Sequence, residues 1–439
     1  MSTETATNAS PADRTEAVNW RSIPQIAAVF GLLLCIYGFV DDKQQFAFSY
    51  LTAFMFCLSV GLGSLFLVLV HHLFDAGWSV PIRRYLEHLA CLLFPWLMFA
   101  FLPIGFLGPE YIYGWMKFSG MAPDEVAKVP AHAIHAWQGK TALFTMPKWF
   151  FVSAALFAFW GWLTHRLRYW SLQQDKSGTP EFEGKMKFPE QIITAFYTKC
   201  QGLPLEKEEQ QVLCTRMMRI HSAYGILAFA VTLTAGAIFW MKSIQHQFFS
   251  TMYGVYYFAG SVWLSISLAW IIGRIMKAKG HLPMLHSLQF YHLGTMLLAF
   301  TVFYAYIHFS QYFLIWNAAI PEETFWYVLR EQGSWAIVCW IIIIGHFFMP
   351  FLTLLRIDGK LTNKVMVPIF VWVILMHYVD MYFNVMPELH KEGPDLALAD
   401  LGAVLFIGGT LAAIFIRNLF AHPIVPLKDP RMGEAIKHH

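Results

Sequence analysis

V-M-V-P-I-F-V-W-V-I-L-M-H-Y-V-D-M-Y-F-N-V-M, residues 365 to 386, is the stretch that decides the fold. It is long enough to cross a bilayer as a helix and carries a single carboxylate, Asp380. His377, Asp380 and Asn384 recur at spacings of three and four, so they share one helical face. An acid and a base are placed one turn apart in an apolar segment, where an ionisable group is costly and marks a functional site by default. Two upstream runs repeat the pattern. Residues 288 to 316 carry Tyr304, His308 and Gln311 on one face, and residues 334 to 355 carry His346 four positions before Pro350. A proline has no N–H to bond the His346 carbonyl, so a free acceptor is expected beside that imidazole.

The rest of the chain has the same character. Of 439 residues 57% are hydrophobic and 13% charged, with 40 Phe, 18 Tyr and 17 Trp, and mean hydropathy is +0.48. This composition excludes a soluble domain and predicts an all-α polytopic membrane protein of about ten transmembrane helices. The expected spans are 23 to 40, 47 to 70, 88 to 107, 147 to 165, 221 to 241, 252 to 273, 288 to 316, 334 to 355, 365 to 386 and 400 to 416. Residues 1–20 read as a polar, disordered cytoplasmic lead without the basic start or cleavage site of a signal peptide. Residues 21–420 read as one helical membrane domain, with an outer loop at 108–146 and a cytoplasmic loop at 166–219, and residues 421–439 as a cytoplasmic tail.

Lysine and arginine set the orientation. With the N-terminus inside, the inner connections hold Arg83, Arg84, the basic residues between Arg166 and Arg219, Arg274, Lys277, Arg356, Lys360 and the tail's Arg417 to Lys437. The outer ones keep only Lys43, Lys117, Lys128, Lys140, Lys148, Lys242, Arg330 and Lys391, so both termini are expected to be cytoplasmic. Net charge is +3 and no basic patch forms, which excludes nucleic acid as a partner and leaves membrane lipid. The six cysteines include no C-x-x-C or C-x-x-C-H, so neither covalent haem nor an iron–sulfur cluster is expected on this chain.

The second helix ends in H-H-L-F-D-A-G-W-S-V-P-I-R-R-Y-L-E-H, residues 71 to 88. These groups read as interfacial anchors, or as a cytoplasmic proton-uptake site using His71, His72, Asp75, Glu87 and His88. In the outer loop, His132 and His135 lack the further ligands of a metal site, and a docking surface for an extracytoplasmic partner explains the loop better. The inner loop predicts a short amphipathic helix near residues 188 to 200. No metal site and no catalytic residue are expected.

W-M-K-S-I-Q-H-Q-F-F-S-T-M-Y-G-V-Y-Y-F-A-G at 240 to 260, H-L-G-T-M-L-L-A-F at 292 to 300, A-Y-I-H-F-S-Q-Y-F-L-I-W at 305 to 316, I-P-E-E-T-F-W-Y at 320 to 327, H-F-F-M-P-F at 346 to 351 and H-Y-V-D-M-Y-F-N-V-M-P at 377 to 387 together resemble one family. It is the F subunit of alternative complex III, within the NrfD-like, polysulfide-reductase-type membrane proteins. W-S-V-P-I-R-R-Y-L-E at 78 to 87 agrees as well. The resemblance implies two four-helix bundles plus two flanking helices, in a multi-pass subunit of a quinol:electron-acceptor oxidoreductase of the bacterial inner membrane. The implied partners are a sister NrfD-like subunit, C, an iron–sulfur subunit, B, multihaem and monohaem cytochrome c subunits, small membrane subunits and, in some assemblies, a terminal oxidase. Haem c and iron–sulfur clusters would belong to those partners. This chain would supply a proton pathway, with contact to quinone or menaquinone left open. Phe239, Gln247, His292 and Thr295 stand where relatives tend to carry ionisable groups, so any proton route here must use others. A secondary transporter would need an inverted repeat, which is not evident, and a purely structural anchor leaves Asp380 unexplained.

Overall fold

A computed structural model describes residues 11–121, 131–188, 190–192, 194–195 and 209–437. Every regular element among the described residues is helical. The long helices are α1 (Pro11–Asp41) and α2 (Lys43–Leu73), a broken pair α3 (Val80–Ala90) and α4 (Trp96–Leu107), then α5 (Ala131–Gln138) and α6 (Met146–Lys176). They continue with α7 (Gln210–Trp240), α8 (Tyr253–Ala278), α9 (Ser287–Ala318), α10 (Pro321–Glu331), α11 (Trp335–Leu355), α12 (Asn363–Val385), α13 (Leu398–Ala421) and the short α14 (Met432–Lys437).

Nine helices among the described residues are long and apolar enough to cross a membrane, which makes this an all-α polytopic membrane protein. The fourth expected span, α6, falls outside those nine although it is 31 residues long. It nonetheless runs antiparallel to α7 along its length. Trp149 donates to the Phe239 carbonyl at 2.9 Å at one end, and Gln174 donates to Thr215 at 2.9 Å at the other.

Sequence chemistry sets the helix ends. Asp42 caps α2 by accepting from the N–H groups of Gln44 and Gln45 at 2.8 and 3.1 Å. Gln289 reaches back to the His286 N–H at 2.8 Å to close the start of α9. Buried Arg330, projecting from α10, donates to the carbonyls of Phe383 and Asn384 at 3.1 and 2.9 Å and so satisfies the last turn of α12.

Burial sorts the helices into layers. The apolar windows of α2 and α8 are 78% and 72% buried, against 17% for α1, so α2 and α8 form the centre and α1 faces lipid. α2 packs on α3, α4 and α7, with α6 closing the group against α7 and α3; α8 packs on α9 and α12, with α11 closing the group against those two. These are the two expected four-helix bundles, and α1 packed on α13 supplies the two flanking helices. The centre is tight because Gly63 meets α8: a β-carbon there would lie 2.1 Å from the Ser261 carbonyl oxygen. Small residues let membrane helices approach this closely, and a larger side chain costs about 1–3 kcal/mol in overpacking.

The start of α1 lies beside the end of α13, since Gly409 faces the backbone of Pro24 and Ala28. Both described ends of the chain therefore sit at one end of the bundle. The tail is packed against it: Asp429 and Ala435 are buried, and the Ala435 carbonyl accepts from Gln289 at 3.2 Å. The amphipathic helix expected over 188 to 200 lies partly outside the described residues, although those described between 188 and 195 are helical. Residues 1–10 of the expected lead also lie outside them, and the chain is helical from Pro11.

Candidate functional site

Four helices deliver the site to the second bundle. On α12, Asp380 is fully buried, and Tyr256 of α8 donates its phenol O–H to Asp380 Oδ1. Asn384, one turn on, donates to the Tyr256 oxygen at 2.7 Å and to Asp380 Oδ1 at 3.3 Å, while Tyr253 donates to Asn384 Oδ1 at 3.1 Å. Tyr304 of α9 donates to the Tyr256 oxygen at 3.1 Å. The carboxyl thus has one oxygen crowded with donors, and the other, Oδ2, is buried without a partner.

His377 anchors the cluster to α2. Its Nε2 lies 2.9 Å from Ser59 Oγ, and that hydroxyl already donates to the Phe56 carbonyl at 2.6 Å. With its proton committed, Ser59 can only accept, which puts the hydrogen of a neutral His377 on Nε2 and a lone pair on Nδ1. Nδ1 is buried and has no partner. The ring fits because position 260 is glycine, where a β-carbon would come within 2.7 Å of His377 Cε1.

His346 comes from α11, where residues Ile343–Phe348 form a π-helical turn directly before Pro350. The missing proline N–H leaves room in the ladder for that wider turn, a feature that recurs at functional sites. It aims the imidazole between two flat rings, with centroids 3.8 Å from Trp263 and 3.7 Å from Tyr304, nearly parallel to both. Trp263 is held by its own bond to Thr301 at 2.8 Å. Neither nitrogen of His346 has a partner. One donor atom each from His346, His377 and Asp380 lie within 4.8 Å of one another.

The structure therefore gathers Tyr304, His346, His377, Asp380 and Asn384 into one cluster. His308 flanks it, 5.3 Å from the Tyr256 ring by centroids. Gln311 does not join: it accepts from Ser250 at 3.1 Å, towards the loop before α8. Tyr253, Tyr256 and Trp263 were not singled out from the sequence, although with Gly260 they recur at spacings of three, four and three on one face of α8. Ser59 carries no such signal, being one small polar residue in an apolar run.

At the other end of the bundle, the 71 to 88 stretch is closed over. Of the five candidate groups, His71, His72, Glu87 and His88 are buried, and Asp75 is exposed, paired with Arg219 at 2.5 Å and Arg431 at 2.7 Å. Glu87 lies 3.1 Å from Arg83, which also pairs with Asp429 at 2.5 Å; Arg84 pairs with Asp175 at 2.5 Å. His71 meets Ser79 at 2.7 Å, whereas both nitrogens of His72 and of His88 lack partners. Arg83 and Arg84 thus tie α3 to α6 and the tail. In the outer loop, His135 is exposed and the side chain of His132 lies outside the described residues.

No protein-family model matches the chain, and no curated protein matches it.

Proposed function

We propose that this chain is a membrane subunit of a bacterial quinol-oxidising respiratory complex of the alternative complex III type, and that it supplies a proton path centred on Asp380. The observation that carries the proposal is the buried Asp380 carboxyl, with one oxygen fixed by Tyr256 and Asn384 and the other open towards His346 and His377. Such a group in an apolar bundle is costly as mere architecture and is suited to taking and passing a proton. Tyr256 and Tyr304 extend the chain of exchangeable protons towards His308.

A cavity of about 720 Å³ opens beside Tyr304 and His308 between α9 and α11, and its apolar walls suit the contact with quinone or menaquinone that the family resemblance leaves open. On this reading the haem c and iron–sulfur centres belong to the partner subunits, the protein resides in the inner membrane, and both termini are cytoplasmic.

The test is Asp380→Asn in native membranes. The variant is expected to assemble, with proton release falling about 100-fold, the scale of a lost proton-transfer group. Wild-type proton release in Asp380→Asn, with only apolar Asp380→Leu lowering the yield of assembled complex, would reduce the residue to a helix-to-helix contact.

A further inference from the structure

We propose that His346, His377 and Asp380 form a binding site for one divalent transition-metal ion of the zinc type. The donor set comes first. Two neutral imidazoles and one carboxylate suit zinc or cobalt, not magnesium or calcium, which prefer oxygen ligands throughout. All three side chains are fully buried, and each keeps a possible ligand atom without a hydrogen-bond partner: both nitrogens of His346, Nδ1 of His377 and Oδ2 of Asp380.

Geometry agrees. The donor atoms lie within 4.8 Å of one another. At metal–ligand distances near 2.1 Å, a tetrahedral ion needs its ligands about 3.4 Å apart, so no pair of donors has to close by more than about 1.4 Å. His377 and Asp380 form a His-x-x-Asp pair on one helix, opposed by a histidine from a facing helix, which is how helical bundles build metal sites. Support behind the ligands is already in place. His377 gives its Nε2–H to Ser59, and Asp380 Oδ1 is fixed by Tyr256 and Asn384, so the remaining atoms are oriented before any ion arrives. Three protein ligands leave a fourth position for water. The cavity between α9 and α11, lined by Tyr304, His308 and exposed Glu331, is the route of access.

The ion would occupy the atoms assigned to proton transfer, so its binding should arrest that transfer. This consequence rests on the proposed proton path; the binding itself does not. The test titrates Co²⁺ into the purified full-length chain in detergent and reads visible absorption. One Co²⁺ per chain with the ligand-field bands of a four-coordinate site is expected, weakened about 100-fold in His346→Gln and Asp380→Asn and about 10-fold in Ser59→Ala, which touches no ligand atom of the ion. His135→Gln, at an exposed position, should leave the bands intact. Absence of the bands, or bands undiminished in His346→Gln and Ser59→Ala alike, would overturn the site. Zn²⁺ added to native membranes then separates the two readings. Proton release lost in metal-free Asp380→Asn while the wild-type chain binds no Co²⁺ defeats the metal site alone; Co²⁺ binding by the wild-type chain with proton release untouched by Asp380→Asn upholds the metal site and defeats the proton path.

Discussion

Tyr256 and Asp380 join α8 to α12 through a phenol-to-carboxyl hydrogen bond buried in the second bundle. Tyr304 donates to the Tyr256 oxygen and also lies close enough to interact with the Asp380 carboxyl itself, so it acts on the carboxyl both directly and through Tyr256. Tyr256→Phe should therefore cut proton release about tenfold and lower stability by about 1–3 kcal/mol, because a buried acceptor loses its donor. Tyr304→Phe should have the smaller effect. Parallel proton-release assays and thermal unfolding of both variants check the order, and equal losses would show that Tyr304 holds the carboxyl as strongly as Tyr256 does.

Gly260 makes room for His377, since a β-carbon there would sit 2.7 Å from the imidazole Cε1 and 3.0 Å from Nδ1. Gly260→Ala should displace the ring and break its bond to Ser59 while leaving every titratable group present. Proton release should fall several-fold with a stability loss of about 1–3 kcal/mol from overpacking. A companion Ser59→Ala variant, which frees the ring without crowding it but leaves its buried Nε2–H unpaired, should show a milder loss of release with a stability loss of about 1–3 kcal/mol. Proton release unaffected in both would mean that the position of His377 is immaterial to transfer.

Periodicity made much of this site legible. The i, i+3, i+4 pattern on α12 put His377, Asp380 and Asn384 on one face, whereas the spacing of His346 to Pro350 pointed only to a free carbonyl acceptor and not to the π-helical turn that carries His346. What a single helix cannot reveal is its partner. Ser59 and Tyr256 act through contacts between residues more than a hundred positions apart, and nothing in either residue's own neighbourhood distinguishes it from packing. Gln311 illustrates the converse error, for it shares a helical face with Tyr304 yet stands two turns further along α9, where Ser250 is its neighbour. The fourth span was expected from its apolar half, whereas Arg166 to Lys176 extend the same helix beyond it.

Asp429 ties the tail to the bundle by pairing with Arg83 at 2.5 Å, and both groups are buried. Asp429→Asn removes a charge whose partner stays buried, a change that costs about 3–5 kcal/mol where the pair is well enclosed. The segment from Val425 to Lys437 should then detach locally before the helices unfold. Limited trypsin cleavage after Lys428 or Arg431 should become faster in the variant while the assembled complex persists. An unchanged cleavage rate would show that Gln289 and Arg431 suffice to hold the tail.

Glu190, in the connection between α6 and α7, gathers Arg166 at 2.5 Å, the Lys187 N–H at 2.7 Å, His221 at 2.9 Å and the Trp170 indole at 3.1 Å. Burial alone would raise its carboxyl, but the hydrogen bonds from His221, Arg166, Lys187 and Trp170 outweigh it and hold the group down at about 2, against 4.5 unperturbed. A carboxyl lowered in the folded state stabilises that state fully above the unfolded value, and its contribution fades as pH falls from about 4.5 towards 2. The loop around residues 185 to 190 should therefore stay docked on α6 through mild acid and release only within that window. Fluorescence of Trp170, whose indole donates to the same carboxylate, offers the readout, although 17 tryptophans require comparison with Trp170→Phe to isolate its signal. Glu190→Gln should abolish the acid transition by leaving the loop undocked at neutral pH, and a transition that survives in this variant would assign it to another carboxyl.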